Sequence, residues 1–166
     1  LNDGDLSPFH QSVWYYKNQG TNEIPDFHLN KKDLLQSDMI DLGEYTYPAL
    51  ADKDGDGDLD LFVGNRGKLQ GDGSFYSTIT IFENIGSKDS PSFKLIDSDY
   101  LAFSGNKYHN IKPQFIDLNN DEKLDLVYTA TNPNTLRSSL YYILNSAPIG
   151  LSFNKTNAIA IEPTFS

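Results

Sequence analysis

The chain has 166 residues, 38% of them apolar and 22% charged, a length and balance that suit one domain with a real core. Thirteen basic against 23 acidic residues give a net charge of −10, which argues against nucleic acid, whose phosphates need a basic surface. The absence of cysteine excludes a disulfide framework and thiolate chemistry, and no apolar run is long enough for a transmembrane helix.

In chain order, Asn2 to Leu6 repeats the tail of a later acidic segment, Gly55 to Leu59. The run Val13 to Tyr16 predicts a strand, and Asn18, Gly20, Pro25 and Phe27 mark a turn and a second extended run. Only Lys31 to Leu42 could hold a helical turn or two. Short β-branched or aromatic runs bounded by Gly, Asn, Asp or Pro predict strands at 61–63, 78–82, 93–96, 114–116, 126–128 and 140–144. Gly71-Asp72-Gly73 reads as a hairpin turn rather than a phosphate loop, because no lysine–serine pair and no helix follows.

The chain repeats itself. Residues 48–61 match residues 113–126, 65 positions on, pairing Pro48 with Pro113, Asp52 with Asp117, Asp60 with Asp125 and Leu61 with Leu126. A second element repeats in the same order, with Asn18, Gly20, Pro25 and Phe27 falling on Asn84, Gly86, Pro91 and Phe93. A looser third copy runs from Tyr141 to Asn145 and continues at Leu151 to Phe153. The end, Pro163 to Phe165, resembles Pro113 to Phe115. About four strands per repeat of ~65 residues predicts an all-β fold, a partial β-propeller of about two and a half four-stranded blades. The approximate units are 1–47, 48–112 and 113–166. A β-sandwich is the alternative, but it has no need of acidic loops in register with the repeat. With Leu1 first and Met39 the one methionine, the chain reads as a processed piece of a longer array. Its partners are then further blades of the parent or another protein chain.

Nine of the 23 acidic residues lie in two nine-residue windows, 52–60 and 117–125. Such crowding costs repulsion unless a cation offsets it. Ca²⁺ takes oxygen ligands at about 2.3–2.6 Å, and aspartates at alternate positions of a tight loop can converge on one point. The first window offers Asp52, Asp54, Asp56 and Asp60 as side-chain ligands and Asp58 through its carbonyl, with Gly57 where the chain turns sharply. An EF-hand would add a glutamate at the twelfth position, where Val63 and Tyr128 stand instead. The second window offers Asp117, Asn119, Asp121 and Asp125, with Lys123 as carbonyl donor. Glu122 replaces the glycine and one carboxylate is missing, so weaker binding is expected there. Two Ca²⁺ sites are expected in all.

Asp52 to Gly64 together with Asn84 to Phe93 resembles the FG-GAP/VCBS repeat family, similar to the repeats of integrin α-subunit propellers. Ala147, where the third copy would carry the glycine matched by Gly86, departs from the pattern. The resemblance implies a calcium-loop β-propeller that is secreted or on the cell surface, often in a large bacterial exoprotein. It also implies a non-catalytic role in adhesion, scaffolding or ligand binding. An accessory module of a secreted carbohydrate-active enzyme or protease is the alternative.

A catalytic reading needs convergent acid, base or nucleophile groups. His10, His28 and His109 show no metal spacing, and His28 suits a strand surface. The inter-blade connections 30–47 and 97–112 carry Tyr45, Tyr47, Tyr100, Phe103, Tyr108 and His109. Aromatic residues there could anchor a protein or stack on a glycan, or simply fill the gap between blades.

Overall fold

The computed structural model describes residues 14–32 and 40–161. Its strands, in chain order, are β1 (Tyr15–Asn18), β2 (Phe27–Lys31), β3 (Tyr47–Ala51), β4 (Asp60–Gly64), β5 (Lys68–Leu69) and β6 (Phe75–Tyr76). They continue as β7 (Ile79–Asn84), β8 (Phe93–Asp97), β9 (His109–Ile116), β10 (Asp125–Thr131), β11 (Ser138–Ile143) and β12 (Ile159–Ile161). Every pairing between them is antiparallel. Contacts gather the chain into two compact units, Leu1–Asp41 and Leu42–Ser166.

The described part of the first unit is the β1–β2 hairpin. Asn18 closes its turn, with Oδ1 accepting from the N–H groups of Gly20 and Asp26, each at 2.9 Å. The Lys32 ammonium lies 5.1 Å from the centre of the Trp14 ring.

The second unit holds two four-stranded sheets, ordered β3-β4-β7-β8 and β9-β10-β11-β12, with the two-stranded β5–β6 hairpin inserted between β4 and β7. Each large sheet is a simple up-and-down meander in which each strand pairs with the next strand of that sheet along the chain. The Asn18 turn recurs in both. Asn84 Oδ1 accepts from Gly86 N at 3.1 Å and Ser92 N at 2.8 Å. Asn145 Oδ1 accepts from Ala147 N at 2.9 Å and Ser152 N at 3.0 Å. The buried Ala147 takes the glycine's place in this third turn.

The core lies between the two large sheets. Period-two alternation sends Ala51, Phe62, Ile79 and Ile81 of the first sheet, and Ile111, Leu126, Tyr128 and Ile143 of the second, into one cluster. Phe62 and Phe115 pack with ring centres 4.6 Å apart. Burying each such large apolar side chain contributes about 1.5–3 kcal/mol. A Cβ on Gly64 would collide with the Ile111 carbonyl, so this close approach of β4 to β9 requires glycine. Beside it, Ile111 N donates to Asn65 O at 3.0 Å.

The outer strand of the second sheet, β12, is absent from the predicted strands and is reached through a 3-10 turn at Lys155–Asn157. The connection before β9 contains a 3-10 segment, Tyr100–Asn106, that the strand-by-strand reading left out. Pro48 and Pro113, where the approximate units begin, stand in β3 and β9. The possible helical turn near Lys31 to Leu42 falls largely, and the terminal repeat matches wholly, outside the described residues.

Candidate metal centre

The first acidic loop joins β3 to β4, and its aspartates organise their own backbone. Asp52 accepts from Gly55 N at 2.6 Å and Gly57 N at 3.0 Å, and Asp56 accepts from Asp58 N at 3.0 Å. Gly55 and Gly57 have φ of 82° and 94°, the left-handed region that glycine enters without penalty. Asp60, 2% exposed, uses both oxygens. Oδ2 accepts from Lys53 N at 2.8 Å, drawing the loop's start onto its end, and Oδ1 accepts from Asn84 N at 2.8 Å.

Folded this way, Asp52, Asp54 and Asp60 each present a carboxylate oxygen within 4.8 Å of the others, a spacing that fits one cation. Asp58 adds an independent sign. It is 8% exposed and its Oδ1 is buried with no hydrogen-bond partner, a costly state for a carboxylate. Burial and the like charges of Asp56 and Asp60 push its pKa up, against a hydrogen bond with Asn84 that lowers it. The loop thus concentrates negative charge and leaves one buried carboxylate oxygen without a protein partner. Its donor set, all hard oxygen, suits Ca²⁺ rather than a softer metal. Asp56 does not join the convergent set.

The second loop joins β9 to β10 and repeats much of this wiring. Asp117 accepts from Asp121 N at 3.2 Å and Glu122 N at 3.0 Å, and Asp121 accepts from Lys123 N at 3.1 Å. Asp125, fully buried, accepts from Leu118 N at 3.0 Å and Asn145 N at 2.8 Å. Glu122 does stand at positive φ, 66°, and so does Asn120, at 60°. The Asn119 amide donates to Asp121 Oδ2 at 3.1 Å, so this loop satisfies part of its charge internally. Among the described residues, the second loop has no set of three convergent carboxylates.

The connection aromatics divide. Phe103 is fully buried against Tyr128, ring centres 4.9 Å apart, and presents no surface to a partner. Tyr100 packs edge-on to Phe62, and Tyr108 stacks with Tyr141. Tyr47 lies under the Lys112 ammonium at 4.5 Å. The His109 ring nitrogen bonds the Phe75 carbonyl at 3.0 Å. Tyr45 alone of the six stands largely in solvent, 70% exposed. His28 lies exposed on β2, 2.9 Å from Asp26.

An open groove lined by Pro48, Leu50, Leu61, Phe93 and Phe115 has Gln114 as its one polar side chain. The Asn84 and Asn145 clamps were visible in the sequence as recurring asparagines. Their bonds to Asp60 and Asp125 were not, because they span 24 and 20 residues.

Sheet order, repeated loop and repeated asparagine turn together define a repeat protein with a candidate cation site. Residues 52–128 match the family of FG-GAP-like repeats. No curated protein and no solved structure matches the chain.

Proposed function

We propose that the chain is a segment of a calcium-stabilised β-propeller, a non-catalytic binding or scaffolding module of a secreted or cell-surface protein. The observation that carries this reading is the convergence of Asp52, Asp54 and Asp60 inside an FG-GAP-like repeat. These three, with the Asp58 carbonyl, would hold Ca²⁺. The ion would supply the positive charge that offsets carboxylate repulsion in the loop. Extracellular modules bind calcium at about 10⁻⁴–10⁻³ M, which suits a loop whose first members face water. The second loop, Asp117 to Asp125, is the weaker site.

Further blades of the same parent are the proposed partners. Phe115 and Leu126 of the second sheet pack into the core shared with the first. Their counterparts one repeat earlier are Leu50, which is exposed, and Leu61, which is half-buried. At the opposite end, Ile116, Leu140, Ile159 and Ile161 of the second sheet are exposed. Faces built like a covered one, yet open, suit another sheet of the same repeat.

Thermal unfolding with calcium, with magnesium and with chelator tests the reading. A ligand at a hundredfold excess over its Kd stabilises by about 2.7 kcal/mol. A calcium-specific rise in Tm that Asp54→Asn reduces is expected. Equal melting in calcium and chelator would overturn the assignment.

A further inference from the structure

The geometry points to a latch: the segment from Asn145 to Leu151, which carries none of the first loop's ligands, positions that loop for its cation. This rests on the calcium reading of the first loop, with the orphaned Asp58 oxygen as its independent support.

The segment leaves β11 and crosses to the other sheet. Asn145 shapes it, accepting from Ser152 N through Oδ1 and donating from Nδ2 to the Gly150 carbonyl at 2.8 Å. Leu151 N then donates to the carbonyl of Lys53 at 2.7 Å. Lys53 sits between Asp52 and Asp54, two of the three convergent carboxylates.

Two glycines make the approach possible. Gly150, at φ 69°, lies so close that a Cβ there would collide with the Lys53 carbonyl. Gly55, at φ 82°, faces Ile149, and a Cβ on it would collide with the Ile149 side chain. Ile149 is 72% exposed, so its contact with the loop is not part of the core. Neither glycine is required by its own turn alone. Each is also required by the other segment.

The latch also reaches the second loop. Asn145 N donates to Asp125 Oδ1, and Asp125 is a candidate ligand there. A continuous path therefore runs from Asp125 through Asn145 and Leu151 to Lys53. Among the described residues, no backbone-to-backbone hydrogen bond reaches 118–124 from another segment, so the second loop has no latch of its own. Binding at the first loop and docking of the latch share one backbone, and by linkage each strengthens the other.

The test pairs calcium titration of the full chain with amide hydrogen exchange at Leu151. Gly150→Ala should weaken calcium binding at the first loop about tenfold, through strain and a displaced Lys53 carbonyl, although no ligand is touched. Ile149→Ala, which opens no core cavity, should weaken it roughly threefold, within the range of one net contact. In the parent chain, calcium should slow exchange of the Leu151 amide. Calcium binding of unchanged affinity in both variants, with Leu151 exchange indifferent to calcium, would overturn the latch and leave the calcium reading standing. No calcium binding by the parent chain would overturn both.

Discussion

Asp60 Oδ1 accepts a hydrogen bond from the backbone N–H of Asn84 at 2.8 Å, and Asp125 holds Asn145 in the same way one repeat later. The last aspartate of each acidic loop is therefore a buried structural clamp as well as a candidate ligand. It joins the loop's start, the strand that follows it and the asparagine that shapes the next turn.

This dual role separates two kinds of substitution. Asp60→Asn would set an amide N–H₂ against an N–H donor, leaving a buried group unpaired at a cost of about 1–3 kcal/mol. Asp54, exposed and bonded only to Asp56 N at 3.3 Å, has no such duty. In chelator, urea unfolding of Asp60→Asn should show a clearly lower midpoint, while Asp54→Asn stays near the parent. Equal midpoints for the two would mean that the clamp contributes nothing without metal.

The second loop offers a test of backbone strain. Glu122 holds φ of 66° where Gly57 holds 94°. A side chain in that region costs about 1–2 kcal/mol, partly offset because glycine loses about 0.5–1 kcal/mol more on folding. Glu122→Gly should therefore stabilise by about 1 kcal/mol or less and tighten calcium binding at that loop. Denaturant midpoints and calorimetric titration would read both effects. A fall in stability would show that the Glu122 side chain compensates its own strain.

Much of this was legible in the sequence because the repeat is written in residues with strict geometric roles. Asn84, Asp52 and Asp60 each bind specific backbone N–H groups, so their recurrence marks recurring structure. The β5–β6 hairpin was visible only through its Gly71–Gly73 turn, since two-residue strands show no periodicity. β12 was missed for a different reason. The connection from Ile143 to Ile159 is long and holds Leu151 and Phe153 outside any strand, so the spacing of the earlier copies does not locate β12. For Phe103 the sequence leaves open whether it faces a partner or fills the gap between blades, and the 3-10 segment turns it into the core. No local pattern announces such a turn.

Alkaline titration tests how the aromatic layer is packed. Burial, with the Asp97 charge, pushes Tyr100 up to about 12, and burial raises Tyr128 as well, with Tyr141 and Tyr108 adding to it. An unfolded tyrosine ionises near pH 10. Between about pH 10 and 12 the unfolded state binds fewer protons than the folded one, so stability falls as pH rises. Absorbance titration should show Tyr100 and Tyr128 ionising late, together with unfolding. Ionisation of all tyrosines near pH 10 with the fold intact would contradict the burial described.

The central claim is that the first acidic loop is a calcium site, and a crystal structure of the chain grown with Ca²⁺ tests it most directly. The account requires an ion about 2.3–2.6 Å from oxygens of Asp52, Asp54 and Asp60, with the Leu151 amide still on the Lys53 carbonyl. Well-ordered aspartates with only water among them, at saturating calcium, would contradict it.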